Sequence, residues 1–211
     1  MSCHIAIAVR RLHPMSLLQE QIHGLGVALN EASLLGLEVS TERHFAAATF
    51  EILTLPEIGP PPQDSRVQIQ FHGVGRVAAS LRNGRWDDRN ASVVVFPLER
   101  LLETVQSFHG LSISGWEFFD VHEKEFPKWS DRLSFDWRCS NVDSQHSIIL
   151  FQDGRDRILD VCLWFNELTI HSPSGSIISI DVFIAGGKRW WDALYAGDER
   201  ASGHGIVPLK N

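Results

Sequence analysis

Residues 67–72 read Val-Gln-Ile-Gln-Phe-His, a run in which apolar and polar side chains alternate without interruption. Successive side chains of a β-strand point to opposite faces of the sheet, so Val67, Ile69 and Phe71 share one face. The polar residues then share the other face. A strand with one buried and one solvated face is typical of an antiparallel sheet, and we predict such a strand here.

Similar runs surround this strand and end in an amphipathic helix, and the same order of elements occurs again later in the chain. The first copy is predicted to have strands at Phe45–Leu55, Val67–His72, Gly75–Arg82 and Ser92–Val95, with a helix at Pro97–Phe108. The second is predicted to have strands at His146–Phe151, Ile158–Phe165, Leu168–His171 and Ser176–Ile180, with a helix at Asp181–Ala196. Element order, rather than residue identity, therefore predicts an internal duplication over residues 45–108 and 146–196, with a groove between the halves.

A further helix is predicted before the first copy, and further strands between the copies. Apolar residues recur at helical spacing along Leu17–Glu31, where Ser16 and Gln19 form a capping-box pattern. Residues 111–113 and 133–137 alternate as strands do. Together the patterns predict an α+β fold, mainly antiparallel sheet with two or three packed helices.

The domain organisation follows from the same patterns. Residues 1–15 carry little periodicity and are predicted to form a loose N-terminal arm. The remainder, residues 16–211, is predicted to be a single α+β domain, because this length is typical of one domain with a sizeable core. The two predicted copies would then be halves of that domain rather than separate domains.

Glycine and asparagine residues indicate where the chain turns. Asn83-Gly84 and Asp153-Gly154 predict two-residue β-hairpin turns, because such turns need residues that adopt positive φ. Residues 165–168 predict a further tight turn and Ser174-Gly175 another, so the second copy has the pattern of an antiparallel meander. Gly186-Gly187 lies inside the last predicted helix, where glycine is unfavourable, and predicts a kink or a close backbone contact.

Composition and charge limit which classes of partner the sequence fits. The 211 residues include 19 Lys and Arg against 26 Asp and Glu, for a formal net charge of −7. The basic residues are scattered, whereas nucleic-acid-binding proteins cluster them against phosphates, so we expect no nucleic-acid partner. No apolar run approaches the roughly 18 residues of a membrane-spanning helix, and we expect no membrane partner. A charged protein partner of this acidic chain would be basic.

Cysteine usage and the N-terminal residues favour a cytoplasmic protein. Cys3, Cys139 and Cys162 are far apart and odd in number, so they form neither a disulfide framework nor a metal-binding spacing. Reduced thiols are typical of the cytoplasm. The apolar run at residues 5–9 is too short for a secretion signal, and the arginines follow it instead of preceding it. We expect no metal or other cofactor.

Residues 73–78 match the outline of a dinucleotide-binding fingerprint, Gly-x-Gly-x-x-Ala, directly after a predicted strand. The context argues against nucleotide binding. The first strand of such a domain is buried on both faces and is continuously apolar, whereas residues 67–72 alternate. Asn83-Gly84 also follows too soon for a crossover helix. We interpret the glycines as part of a hairpin in which they supply an unusual φ.

Residues 116–123 are the segment richest in polar and aromatic side chains together, and they reach the end of a predicted strand. Its members Glu117, Asp120, His122 and Glu123 are weak candidates for catalytic groups, because carboxylates and imidazoles that converge there serve acid–base chemistry or metal binding. The spacing is not specific, since a metal site needs three or four ligands. A polar loop that begins where the strand ends explains the same residues.

The histidines form no recognisable catalytic pattern. The sequence has ten, and no two lie four residues apart on a predicted helix, where a zinc-binding pair would place them. His72 and His171 occur late in comparable strands of the two copies, which hints at paired positions. Cys162 lies in an apolar strand and is predicted to be a small core residue.

Aromatic and acidic residues near turns are the candidates for a partner-binding surface. These candidates are Trp86, Asp87, Asp88, Trp116, Trp190 and Trp191. Adjacent helical residues differ by about 100°, so we expect one of Trp190 and Trp191 to be buried and the other part-exposed. An exposed tryptophan beside Lys188 and Arg189 is typical of a binding hot spot. Solvated turns and basic side chains that extend around a core tryptophan are the alternative interpretation.

No motif identifies a catalytic activity, and two functions fit the sequence. The first is a non-catalytic binding protein that sequesters or inhibits a protein partner, in its sharper form an immunity-type protein of bacterial type that neutralises a toxin. The acidity, the tryptophans near turns and the lack of a catalytic motif favour it. The second is an enzyme, or a small-ligand or metal-binding protein, with its site between the halves. A homodimer formed through the last helix is a third expectation.

Overall fold

The computed structural model describes residues 17–88, 90–113, 118–121 and 126–206. Within them the chain forms the helices α1 (Gln19–Leu29), α2 (Leu101–Gln106) and α3 (Ile180–Ala196). The strands are β1 (Ser33–Ser40), β2 (Phe45–Glu51), β3 (Arg66–His72), β4 (Arg76–Asn83), β5 (Ser92–Val93), β6 (Phe135–Arg138), β7 (His146–Gly154), β8 (Arg157–Phe165), β9 (Glu167–His171) and β10 (Ile177–Ile178). The predicted α+β class is confirmed.

The strands form two antiparallel sheets of five strands each. Sheet A has the order β1-β2-β3-β9-β10, and sheet B has the order β5-β4-β8-β7 with β6 also paired to β4. The strand predicted at residues 133–137 is β6, whereas residues 112–113 make only isolated bridges, to Ser33 of β1 and Gln152 of β7. β1 was not among the predicted strands.

Two strand pairs bend where the sheets meet. β3 pairs with β9 in sheet A, and after residues 73–75 the chain continues as β4, which pairs with β8 in sheet B. The Gly75 N–H donates to the Trp164 carbonyl (3.0 Å) and the Asn166 N–H to the His72 carbonyl (2.9 Å), so the ladder continues through the bend. Residues 73–75 and Asn166 therefore form a corner at which two segments of the chain pass from one sheet to the other.

This corner overturns several of the predicted turns. The glycines at residues 73–75 and the turn at residues 165–168 carry strands from one sheet to the other, so the hairpin and the meander predicted there are wrong. A strand, β4, follows the glycines, as expected for a segment that is not a nucleotide-binding fingerprint. Local turn residues indicate that the chain changes direction, but strand pairing decides which sheet it enters.

The other predicted turns have mixed outcomes. Asn83 pairs with Ser92, so a loop of residues 84–91 replaces the predicted two-residue turn. The two-residue turn between β7 and β8 is Arg155-Asp156, two residues later than predicted, because Gly154 still pairs with Arg157. The hairpin predicted at Ser174-Gly175 joins β9 to β10 as expected.

One core fills the space between the inner faces of the sheets and the helices. Ile69 and Phe71 of β3 and Phe165 of β8 are fully buried in it, and the Phe71 and Phe165 rings meet edge to face at 4.8 Å between centroids. Leu25 of α1 and Phe183 of α3 belong to the same cluster. The apolar faces that the alternation predicted therefore point inward.

Helices α1 and α3 approach each other closely through glycines. A Cβ on Gly24 would lie 2.7 Å from Ile184 Cγ2, and one on Gly187 would lie 2.6 Å from Ala28 Cα. Only glycine permits backbones this close. The close contact predicted for Gly186-Gly187 is confirmed, and α3 runs through it as one helix.

Both tryptophans of α3 are buried, with 1% exposure for Trp190 and 7% for Trp191, so the expectation that one of them is part-exposed is wrong. Trp191 Nε1–H donates to the Val27 carbonyl of α1 (3.1 Å). Trp190 belongs to a cluster with Leu55 and Ala201. Because α3 is covered from more than one direction, adjacent positions on it are both enclosed.

The internal duplication is not confirmed. Residues 45–108 supply β2–β5 and residues 146–196 supply β7–β10, so each predicted copy contributes strands to both sheets. The predicted seam coincides with the pairings of β3 with β9 and of β4 with β8. Hydrogen-bonded strands, not a groove, therefore occupy the boundary between the halves.

Candidate functional site

Sheet A carries a broad polar surface on the side away from the core. Residues directly opposite each other in paired strands share a face. The outward residues of β1, β2, β3 and β9 include Glu38, Phe45, Ala47, Thr49, Glu51, Arg66, Gln68, Gln70, His72, Glu167, Thr169 and His171. We refer to this set as the open face. All except the small Ala47 are half-buried or exposed, as expected for side chains on a solvated sheet.

Sheet B differs because the chain covers its outer side. Trp129 packs with Ala78, Ile149 and Cys162 in a third buried cluster, and the neighbouring Phe126 packs against this cluster. Cys162 is fully buried, as predicted, and burial raises the pKa of its thiol. Among the described residues, the outer side of sheet A therefore offers the more accessible sheet surface.

A shallow cleft of about 330 Å³ lies at one end of the open face. Its lining includes Thr49, Gln68, Gln70 and His171, the charged Arg66, and Ser172 and Gly175 of the β9–β10 turn. The Gln70 side-chain N–H donates to Gln68 Oε1 (2.7 Å), which fixes both amides on the cleft floor. The cleft thus presents hydroxyl, amide and imidazole groups that form hydrogen bonds, and the guanidinium of Arg66, which is paired with Asp64.

Two histidines of the open face are joined through one threonine. His72 Nε2 lies 3.4 Å from Thr169 Oγ1, and the same oxygen lies 3.0 Å from His171 Nε2. His171 Nδ1 is 3.3 Å from the Gly175 carbonyl oxygen. The hint of paired positions came from the predicted duplication, which is not confirmed, and in the register His72 lies opposite Glu167 and His171 opposite Gln68. The neighbouring strands β3 and β9 nevertheless place both rings on one face.

The charges at the open face are mostly negative. Glu38, Glu51 and Glu167 are exposed. Arg66 forms a bidentate ion pair with Asp64, in which its Nε donates to Oδ1 (2.9 Å) and its Nη2 to Oδ2 (2.7 Å). These hydrogen bonds lower the pKa of Asp64 to about 2. The open face and the adjoining Asp64 therefore carry four carboxylates, those of Glu38, Glu51, Glu167 and Asp64. Against these stands one guanidinium, that of Arg66. The adjoining β1–β2 turn adds one charge of each sign, from Glu42 and Arg43.

The loop predicted to bind a partner lies elsewhere, at residues 84–91. Trp86 is 65% exposed, so its indole is accessible there. Asp87 contacts Arg85 at 3.5 Å, and Asp88 Oδ1 accepts the Asn90 N–H (2.8 Å). One of these two carboxylates therefore stabilises the loop itself, and the other is paired at the surface.

Three of the four predicted catalytic residues, Glu117, His122 and Glu123, lie outside the described residues, as does the predicted partner-binding residue Trp116. Asp120 is described and has φ +55°. Its Oδ2 accepts from the buried His146 Nδ1 (2.9 Å), and its Oδ1 accepts the Ser147 N–H (2.8 Å). His146 Nε2 accepts the Leu17 N–H (3.1 Å). Asp120 and His146 therefore link three chain segments.

Three further observations bound the possible activities. No three His, Cys, Asp or Glu side chains gather as a metal site within the described ranges. None of the described helices is long and apolar enough to cross a membrane. Comparison with protein-family models, curated proteins and solved structures finds no match for this chain.

Sequence reasoning predicted the solvated side of β3 but did not identify it as a candidate site. The alternating Gln68, Gln70 and His72 were the available signal. The partners of these residues come from β9, about a hundred positions later in the chain, and the pairing of β3 with β9 was not predicted. Without that pairing, Thr169 and His171 could not be placed on the same surface.

Proposed function

We propose that this protein is a non-catalytic binding protein that holds a basic protein partner on the open face. The observation that carries the proposal is the accessible polar surface of sheet A, with four carboxylates and one guanidinium around a cleft of hydrogen-bonding side chains. Sequestration or inhibition of the partner would be the result of binding. An immunity-type protein is the form of this proposal in which the partner is a toxin.

The composition of the cleft supports binding more than chemistry. Its lining includes no carboxylate, and its only imidazole, that of His171, is hydrogen-bonded on both ring nitrogens. Its one charged side chain, Arg66, is held in the ion pair with Asp64. Acid–base catalysis usually pairs an imidazole with a second group positioned on the substrate. Amides and hydroxyls on a rigid sheet instead offer donors and acceptors to the backbone and side chains of a partner.

Charge supports a basic partner. Complementary charges speed association and select the correct partner, because like charges across an interface are unfavourable. Glu38, Glu51 and Glu167 come from three different strands and surround the uncharged centre of the open face. Lysine or arginine side chains of a partner could reach these carboxylates while its other groups contact the central amides.

Carbodiimide coupling to a labelled decalysine peptide tests this proposal. The reagent joins a carboxylate to an amine in direct contact, and mass spectrometry identifies the carboxylate. We expect coupling at Glu38, Glu51 and Glu167, and not at the exposed Glu99 or Asp192. Coupling spread evenly over exposed carboxylates would refute a specific basic-partner surface.

Two variants with equal changes in charge provide the matched control. We expect the open-face variant Glu38→Gln/Glu51→Gln/Glu167→Gln to bind decalysine about tenfold more weakly at low salt. The control variant Glu99→Gln/Asp192→Asn/Glu199→Gln loses the same three charges from other exposed positions. Equal weakening in both variants would mean that net charge, rather than the open face, determines binding.

The loop at residues 86–88 is a second contact surface within the same proposal. Exposed tryptophan is common at binding hot spots, and Trp86 is accessible. Coupling of decalysine to Asp87 or Asp88, with loss of binding on charge reversal at both positions, would move the partner site to this loop. Unchanged binding by calorimetry would remove the loop from the proposal.

An enzyme, or a small-ligand or metal-binding protein, is the alternative function. The observation that favours it is the carboxylate–imidazole contact of Asp120 with His146. Native mass spectrometry compared with the denatured mass tests it, because a retained metal or ligand adds mass that denaturation removes. Such an excess would favour the alternative, whereas a mass equal to the bare chain would favour the binding protein.

The proposal includes a cytoplasmic location. The described cysteines, Cys139 and Cys162, are both free thiols. Free thiols are typical of a reducing compartment. A homodimer through α3 would need an accessible α3 surface, and Val182 and Tyr195 are its exposed large apolar side chains. Light scattering of the purified chain would measure the oligomeric state.

A further inference from the structure

We infer that His72 and His171 make binding at the open face pH-dependent, so that a basic partner is held at neutral pH and released in mild acid. This inference rests on the proposed function, because it concerns the regulation of the same surface. It is carried by the contacts of both rings with Thr169 and by their position among the carboxylates of the open face.

The hydrogen bonds assign a role to each ring nitrogen in the neutral state. His171 Nδ1–H donates to the Gly175 carbonyl, so Nε2 of the same ring is an acceptor and takes the Thr169 hydroxyl proton. Thr169 Oγ1 in turn accepts from His72 Nε2–H. Because Nε2 of His72 then carries the proton of the neutral ring, Nδ1 of His72 is an acceptor. The neutral array therefore adds one acceptor to the surface, Nδ1 of His72, and no positive charge.

Protonation changes both properties. A proton on His171 Nε2 turns that atom into a donor aimed at Thr169 Oγ1, and the threonine hydroxyl must then turn away. A proton on His72 Nδ1 turns its acceptor into a charged donor. Each event adds one positive charge to a surface where we propose that cationic side chains bind. Like charges at contact distance repel, so the protonated face should bind a basic partner more weakly.

The charged groups around the rings come from each strand of the open face and its turns. They are Glu38 on β1, Glu42 and Arg43 in the β1–β2 turn, Glu51 on β2, Asp64 and Arg66 at the start of β3, and Glu167 on β9. The β1–β2 turn also holds the imidazole of His44, whose ring lies 6.5 Å from that of Trp137. Phe45 lies opposite His72 on β2, and Ile177 lies opposite His171 on β10. Among these side-chain types, only imidazole ordinarily changes charge between pH 5 and 8.

Fluorescence anisotropy with labelled decalysine at pH 7.5 and 5.5, at constant ionic strength, tests the inference. We expect the Kd of the unmodified chain to rise about tenfold or more at pH 5.5, because binding then requires the release of protons. The variant His72→Gln/His171→Gln keeps neutral hydrogen-bonding side chains at both positions. Its Kd should change by less than about twofold over the same range.

A second double variant controls for histidine content. His23 and His109 are exposed and lie outside the open face, so His23→Gln/His109→Asn should keep the full pH dependence. Thermal melts check that both variants fold. If the open-face double variant melts early, the single variants His72→Gln and His171→Gln serve the same comparison, each with about half of the effect on log Kd.

The outcomes separate this inference from the proposed function. Coupling of decalysine at the open face at pH 7.5, with a Kd that does not change at pH 5.5, would overturn the pH dependence and leave the binding surface supported. The same pH dependence in the His72→Gln/His171→Gln variant would also overturn it. Absence of open-face coupling at pH 7.5 would overturn both proposals.

Discussion

Gly73 packs directly against Asn166 at the corner where sheet A becomes sheet B, and a Cβ on Gly73 would lie 2.7 Å from Asn166 Nδ2. Gly73 has φ +64°, and Asn166 Oδ1 accepts the Gln145 N–H (3.0 Å). Gly73→Ala therefore adds backbone strain and displaces an engaged side chain. We expect the free energy of unfolding to fall by about 2–4 kcal/mol in urea titrations.

Gly175→Ala is the matched control for that substitution. Gly175 also has positive φ, at +83°, but no atom lies within 4 Å of the position that its Cβ would occupy. Only the backbone strain remains, for which we expect about 1 kcal/mol. Equal losses in the two variants would show that the contact of Gly73 with Asn166 adds nothing to the stability of the corner.

Trp190→Ala should unfold or strongly destabilise the protein. Trp190 is 1% exposed and stacks edge to face on Trp191 at 5.0 Å between ring centroids. Removal of a buried tryptophan side chain costs about 3–5 kcal/mol, whereas Trp86→Ala at a 65% exposed position should change stability by less than about 0.5 kcal/mol. Thermal melts of both variants measure this, and a Trp190→Ala melt like that of the unmodified chain would contradict the buried position.

Local patterns in the sequence predicted where strands and helices form, but not which strands pair. The alternation in residues 67–72 correctly indicated a strand with one buried face, because burial of every second side chain is a local property. The glycines after it were interpreted as part of a hairpin, but they form a corner. The corner depends on the pairing of β3 with β9 and of β4 with β8, which involves residues far apart in the chain.

The same limit applies to the candidate site. Trp190 and Trp191 resembled binding residues because adjacent helical positions usually differ in exposure, but α1 and the segment around Leu55 enclose both. The open face joins residues from four strands, and only the polar half of β3 was evident from local alternation. Exposure and shared surfaces depend on tertiary packing, which the spacing of residues within one element does not contain.

The buried ion pair of Arg82 with Asp160 offers a test of how β4 and β8 are held together. Both side chains are less than 10% exposed. Asp160→Leu or Arg82→Met alone leaves a buried charge without this partner, for which we expect a loss of about 3–5 kcal/mol. The double variant should lose less than either single variant, because no buried charge remains. Additive losses in urea titrations would show that the two side chains act independently.

Asp136 should make the stability of sheet B depend on pH in acid. Burial raises the pKa of its carboxyl, but hydrogen bonds from Arg76 (2.8 and 2.9 Å) and Arg138 (2.7 and 3.1 Å) outweigh burial and lower the pKa below its usual value of 3.8. A pKa that is lower in the folded state stabilises the protein above the unfolded pKa, and this contribution is lost as pH falls through the folded pKa.

Asp136→Asn should therefore reduce the free energy of unfolding by about 1 kcal/mol at pH 7, with a smaller difference from the unmodified chain below pH 3.8. Urea titrations at pH 7, 5 and 3 measure the difference. The exposed Asp192→Asn on α3 serves as the control for loss of one negative charge. If the arginines stabilise the ionised form of Asp136, protonation in acid removes that stabilisation, and the two free energies of unfolding converge. A difference in free energy of unfolding that stays constant or grows as the pH falls would therefore contradict this role of the arginines.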